Sequence, residues 1–304
     1  MLYSVVSALS DRLDTKFLTA YWLPAFVAVF GGFGLLVAVV GVPRVEGWVT
    51  ELDSVEQSLG ALIVVLLITM LAFILRALAL PIAAIFLGRA LPKAIAAWST
   101  RGQLRARSRT AQYLASSARA AASDSSATPA TDVLELAYPQ NPAETKPTRL
   151  GNVLAAAADH PRIAYAMNGG LWWPRLLPLL PASFTDMLAG AQAPTMALLN
   201  LSAVFFALAV SAAVLLVLVT TQWVTALAVL VVGLLLARLC YHAAVSQAVE
   251  LGSLIRVAFD LYRSEILTQL QQDPPSDLAA ERALWPRLTD EVLGRPQPGD
   301  TGSE

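Results

Sequence analysis

The chain has 304 residues, a mean hydropathy of +0.60, 56% apolar and 14% charged residues, and a net charge of −1. A soluble domain carries about 25% charged residues, so this composition excludes an ordinary soluble globular protein, and the chain is neither acidic nor basic as a whole. The single cysteine, Cys240, excludes an internal disulfide, and the only histidines, His160 and His242, lie too far apart to read as a metal cluster. No cofactor is expected.

In chain order, residues 1–16 place Leu2, Val5, Val6, Leu9 and Leu13 at helical spacing. They predict a short amphipathic segment, lying on the membrane or packed on a cytosolic region. The apolar run that follows, from Phe17 to Val42, is too long for a signal-peptide core. It predicts a first uncleaved span, with Tyr21 and Trp22 at its start as interfacial aromatics. Ala28 and Gly32 have the small-xxx-small spacing that lets helices approach closely in lipid, so Gly32 is a candidate packing position. Pro43 to Gln57 reads as a short acidic connection. A second span begins near Leu59 and ends near Leu80, with Arg76 snorkelling to the headgroups. Residues 17–80 thus form a first hairpin.

Residues 81–195 read as a helical cytosolic region. No acidic residue occurs from Gln57 to Ser123, while Arg101, Arg105, Arg107 and Arg109 fall in an alanine-rich stretch predicting a helix over Lys93 to Ala122. Juxtamembrane polybasic helices attract anionic lipid, so these four arginines are candidate headgroup contacts. The simpler reading is that the tract only retains this side of the chain in the cytosol. Residues 124–147, rich in Ser, Ala, Thr and Pro, predict a flexible loop. A helix is expected over Thr148 to Asp159. Gly169 to Pro181 is apolar but too short and proline-rich to span. It is expected at the interface, with Trp172 and Trp173 at headgroup depth, the alternative being the core of the cytosolic region.

Met196 to Val219 predicts a third span, and the fourth begins at Trp223 after a turn too short for anything but an antiparallel hairpin. Residues 196–246 thus form a second hairpin. Ala203, Ala207 and Ser211 recur every fourth position as a candidate seam. The helical pattern runs on through residues 247–293, interrupted by Pro274 and Pro275, with Ser276 as the expected cap of a last helix and with Asp260 and Arg263 able to pair at i, i+3. Residues 294–304 read as a disordered tail. The fold class is therefore all-α: a polytopic membrane protein with four transmembrane helices in two hairpins plus a helical cytosolic region.

Orientation follows from the cations. Of 21 Lys and Arg residues, only Arg44 falls between the first and second spans or the third and fourth. Lys and Arg are retained on the cytoplasmic side of short loops, so both termini and the central region are expected in the cytosol, and the protein in a cell membrane (inner or plasma membrane).

Residues able to do chemistry are scarce. No Asp or Glu lies within a span, and no phosphate-cradling loop or HExxH motif is present. Asn200, Ser202 and Ser211 offer a thin polar stripe, with Asn200 expected to join helices. Asp159 and His160 are an adjacent pair of little specificity. Nucleic acid is not an expected partner, because the basic tract has few aromatics to stack bases. Trp173-Pro174-Arg175-Leu176 recurs as Trp285-Pro286-Arg287-Leu288, which carries meaning only if the two sites prove equivalent in space.

Thr148-Arg149-Leu150-Gly151-Asn152, then Trp173-Pro174-Arg175-Leu176 and Leu179-Leu180-Pro181, resemble a motif of an uncharacterised family of multi-pass membrane proteins of bacteria, chiefly actinobacteria. Phe259-Asp260-Leu261-Tyr262-Arg263 and Glu281-Arg282-Ala283-Leu284-Trp285 resemble its C-terminal pattern. Members often carry more charge between the halves of the first motif than Ile163 to Gly170 does here. The resemblance implies a bacterial multi-pass protein and no particular activity. The expected function is a non-enzymatic scaffold or signalling component whose partners are membrane lipids and a protein, or a second copy of itself. An oligomeric channel is the first alternative, and an enzyme acting on lipid is the second.

Overall fold

A computed structural model describes residues 15–121 and 131–295. The amphipathic segment expected before Thr15, the start of the 124–147 loop and the tail beyond Arg295 lie outside these residues. Among the described residues there are helices and no strand. The chain divides into two compact units, residues 1–86 with 190–247 and residues 87–189 with 248–304.

The first unit holds the apolar helices. Helix α1 spans Thr15–Val40, and α2, Val42–Thr50, occupies the connection read as a loop. Gly41, at φ +95°, separates them. Helix α3, Ser54–Ala77, starts at a capping box: the Asp53 side chain accepts from Val55 and Glu56 N–H, and Glu56 reaches back to the Asp53 N–H. Helix α4, Ala79–Phe86, follows after a break at Leu78. Helices α9, Ala182–Val219, and α10, Trp223–Gln269, complete a set of four, with α1 and α3, that are long and apolar enough to cross a membrane. Phe33, Leu66, Leu218 and Val224 are among the many large apolar side chains left exposed on them. So much apolar surface outside a bilayer would aggregate.

Phe17, Ala25, Ile68, Ala72 and Leu75 join α1 to α3. Arg76 lies over the Phe17 ring, 5.7 Å from its centroid. Residues Leu18–Trp22 of α1 form a π-helical turn. Such a turn breaks the regular i→i−4 ladder and exposes backbone acceptors. The Asn200 amide donates to Ala20 C=O at 2.8 Å and is itself buried. It joins helices, as its type suggested.

The packing seams differ from the expected ones. A Cβ at Gly31 would fall 2.5 Å from Leu208, whereas one at Gly32 meets nothing within 4 Å. Gly31, not Gly32, is the close-approach residue. In the second hairpin Ala207 and Ser211 are exposed and Ala203 only half-buried. The seam is instead Ser202, Ala209, Gly233 and Ala237: Ser202 Oγ donates to Ala237 C=O at 2.8 Å, and a Cβ at Gly233 would meet Ala209 Cβ at 2.4 Å. A stripe at strict fourfold spacing drifts around a helix of 3.6 residues per turn, so a seam set by contact picks 202 and 209 over 203, 207 and 211.

The second unit holds α5, Lys93–Ala121; α6, Thr131–Ala137; α7, Arg149–Tyr165; α8, Gly169–Leu176; and α11, Leu278–Val292, together with residues of α9 and α10. The stretch after residue 130, read as loop, is structured. Tyr138 is buried, Asn141 caps a 3-10 turn at Pro142–Glu144, and Arg256 donates to Glu135 C=O at 2.6 Å. Helix α7 runs past Asp159 and through Pro161, and Ala166 stops it at φ +58°. Asp277, not Ser276, caps α11 by accepting from Ala280 N–H.

Candidate functional site

The core of the second unit is built on paired tryptophans. Trp172 of α8 and Trp285 of α11 are both 0% exposed, their ring centroids 5.3 Å apart and edge to face. Trp172 Nε1–H donates to Thr289 Oγ1 at 3.1 Å, and Trp285 Nε1–H donates to Glu281 Oε1 at 3.3 Å. Leu176, Phe184, Phe259 and Leu288 pack around them. This corrects the interfacial reading of Gly169 to Pro181 for Trp172: a side chain with no accessible surface meets no headgroup. Trp173 is half-buried on Phe259, with centroids 5.7 Å apart. The repeated Trp-Pro-Arg-Leu sites are not equivalent, since Trp285 pairs with Trp172 rather than with Trp173.

A polar network borders this core. His160 Nε2 lies 2.7 Å from Asp260 Oδ1, and the Tyr165 hydroxyl donates to the same oxygen at 2.8 Å. Arg263 donates to Glu281 Oε1 at 2.7 Å and covers the Tyr165 ring, 3.9 Å from its centroid. Asp260 and Arg263 thus do not form the side-chain pair their spacing allowed; Arg263 reaches only the Asp260 backbone C=O. Each is drawn to a different helix. Asp159 and His160, adjacent in sequence, are likewise separated: Asp159 accepts from Arg162 Nε at 2.7 Å while His160 turns to Asp260. Successive residues on a helix point about 100° apart, so they do not act on one substrate atom together.

Burial, then the bond to Asp260, pushes the Tyr165 hydroxyl up to about 12. An unperturbed tyrosine titrates near about 10. The folded state therefore favours the neutral phenol, and this contribution is complete below pH ~10 and lost as pH rises towards ~12. Unfolding of the detergent-solubilised chain followed from pH 9 to 12 is expected to show an alkaline loss of stability that Tyr165→Phe reduces. Parallel pH profiles for the two proteins would refute the assignment.

Motif residues after Thr148 build a cleft. Thr148 caps α7 by accepting from Gly151 N–H at 3.0 Å. Gly151 permits the approach of Leu87, whose C=O would lie 2.7 Å from a Cβ there. The Asn152 side chain accepts from Lys146 N–H at 2.6 Å and donates to Lys146 C=O at 3.1 Å, fixing both backbone groups of that residue. The result is a cleft of about 640 Å³ between the 144–146 turn, α7, the start of α8 and α11. Its small-residue lining includes Ala155, Ala158 and Gly170, and its charged lining includes Arg89, Lys146 and Asp159. Asp159 is only 7% exposed, and its Oδ2 has no hydrogen-bond partner. The bond to Asp159 raises the pKa of Arg162, so the guanidinium stays protonated.

Helix α5 carries the other candidate surface. Trp98 and Tyr113 are 75% and 71% exposed, and Ile95, Arg101, Arg105 and Arg109 are exposed between and beside them. Spacings of three and four place these six on one face. Arg107 does not belong to it. Its Nη2 donates to Gln140 C=O at 2.6 Å and its Nη1 is buried. At the edge of this face α5 is anchored by Ser99, whose hydroxyl donates to Pro147 C=O at 2.5 Å. The pairing of exposed aromatics with the arginines was present in the sequence as spacing, but only the buried side identifies which face is free. Among the described residues, no group of three or more His, Cys, Asp or Glu side chains could hold a metal ion.

Fold and surfaces together define an all-α membrane protein of polytopic type with a helical unit carrying a polar cleft and a basic, aromatic helix face. No protein-family model, curated protein or solved structure matches the chain.

Proposed function

We propose that this chain is a non-enzymatic component of a bacterial cell membrane, a scaffold or signalling protein. Its helical unit lies on the cytosolic side, presents α5 to anionic lipid headgroups and engages a protein partner or a second copy. The observation that carries this reading is the exposed face of Trp98, Arg101, Arg105, Arg109 and Tyr113. Tryptophan and tyrosine favour the headgroup layer. Each arginine near an anionic surface contributes about 1 kcal/mol, so the row of three would strengthen contact roughly 100-fold. The cytosolic placement rests on the distribution of Lys and Arg described above. A pore is less well supported, because Asn200 and Ser202 donate to backbone carbonyls of neighbouring helices. A lipid-acting enzyme is less well supported because Asp159 and His160 face different partners.

The test uses the full chain in nanodiscs, with Cys240→Ser and a spin label on Trp98→Cys. In discs containing phosphatidylglycerol the label should be shielded from a water-soluble relaxant. In pure phosphatidylcholine, or after Arg101, Arg105 and Arg109 are changed to Gln, it should become accessible. Equal accessibility in all three would overturn the lipid reading. For sidedness, a cysteine at Glu51 should be labelled from outside intact cells and one at Ser116 should not; the reverse pattern inverts the topology.

A further inference from the structure

Helix α2 is amphipathic, and its apolar side is largely bare among the described residues. Helical spacing puts Val42, Val45 and Trp48 on one side and Glu46, Gly47 and Thr50 on the other. Val42 is 62% and Trp48 53% exposed. The patch runs on through Leu52, 41% exposed, to Val55, 72% exposed, in the first turn of α3. Val55 heads a row with Leu59, Leu62 and Leu66, all exposed, at spacings of four, three and four along one side of α3. The bare side of α2 is thus continuous with the outward side of a helix suited to lipid.

Length fixes the depth of α2. Helix α1 has 26 residues and α3 has 24, about 39 and 36 Å at 1.5 Å per residue. Either exceeds a hydrocarbon core of about 30 Å, so the helix joining them falls in the headgroup layer. Gly41, at φ +95°, takes a backbone conformation open to glycine and turns the chain out of α1 just before α2. Charge then narrows the kind of lipid. Residues 41–57 carry Glu46, Glu51, Asp53 and Glu56 against Arg44 alone, the reverse in sign of the exposed face of α5.

We propose that α2 lies in the headgroup layer with Val42 and Trp48 towards the acyl chains, and that it fits zwitterionic rather than anionic lipid. Short amphipathic helices bury their apolar side at the boundary of headgroups and chains, and tryptophan favours that depth. An anionic surface attracts basic segments and by the same Coulomb law repels a net-acidic one. None of these residues belongs to α5, so the two lipid contacts can fail separately.

The test uses the full chain with Cys240→Ser in nanodiscs of phosphatidylcholine, spin-labelled at Trp48→Cys or at Thr50→Cys. These positions lie about 160° apart around the helix. Molecular oxygen concentrates among acyl chains and a nickel chelate stays in water. The label at 48 should collide mainly with oxygen and the label at 50 mainly with nickel. Because the first label removes the tryptophan, Val42→Cys provides a reading that keeps it and should follow the label at 48. In phosphatidylglycerol discs nickel accessibility at 48 should rise, and Glu46→Gln with Glu51→Gln should remove the rise. Equal oxygen-to-nickel ratios at 48 and 50 would overturn the interfacial placement. Shielding of 48 from both agents would overturn it too, because a protein surface such as a second copy would then cover α2. An unchanged nickel accessibility in phosphatidylglycerol would overturn the preference for zwitterionic lipid.

Discussion

Trp172→Ala is expected to destabilise the second unit by about 3–5 kcal/mol, the range for removing a buried aromatic from a packed core. The side chain is fully buried and touches another tryptophan edge to face. Its loss removes apolar contact, leaves a cavity beside Leu176 and Leu288, and takes from Thr289 the Nε1–H it accepts. Thr289 still donates to Trp285 C=O at 2.8 Å, so the penalty is dominated by the cavity. Trp98→Ala is the natural control, because Trp98 is 75% exposed and its removal opens no cavity. Thermal unfolding of the full chain in detergent should show a large drop for the first variant and little for the second. Equal midpoints for Trp172→Ala and the unaltered protein would refute the core assignment and restore the interfacial one.

Glu281→Ala should cost about 2–3 kcal/mol, the range for hydrogen bonds to a charged group in a partly buried site. Glu281 is 7% exposed and accepts from Arg263 Nε at 2.7 Å, from Arg263 Nη2 at 3.3 Å and from Trp285 Nε1 at 3.3 Å. Removing the carboxylate strands a half-buried guanidinium and an indole N–H together. Breaking one side of a buried pair is worse than removing both. Arg263→Met combined with Glu281→Ala is therefore expected to recover part of the loss of the single variant. A double-mutant cycle by chemical denaturation measures this; additive losses would show that the two side chains are not coupled.

The resemblance motifs illustrate how far spacing reaches. Thr148 as cap and Asn152 as a clamp on Lys146 are local events within a few residues, and both are types that favour caps and turns, whereas Gly151 admits Leu87 from far upstream in the chain. The Asp260–Arg263 expectation failed for the opposite reason. Both side chains had a neighbour three residues away, but His160, about a hundred residues upstream, and Glu281, on a later helix, offered better-placed partners. The interfacial reading of Trp172 failed because composition places a tryptophan at a headgroup layer or in a core with equal ease. Burial by Trp285, more than a hundred residues downstream, decides between them. The residues after 130 were read as loop because Ser, Thr and Pro suggest one; Tyr138 and Glu135, each held by a distant helix, impose order there.

Hydrophobic length, and with it an all-α chain with four rods suited to a bilayer, was legible from the sequence alone, because about 20 consecutive apolar residues leave a helix few other places to go. The near-absence of charge inside those rods and the collection of Lys and Arg outside the two hairpin connections were equally plain. Tertiary structure alone decided which small residues touch, Gly31 and Gly233 rather than Gly32 and Ala207, and which arginines stay exposed on α5. It alone assembled the cleft, whose walls come from turns and helices far apart in the chain. Periodicity records which face of a helix is apolar, but contact between faces depends on where other helices lie, and that information is not local.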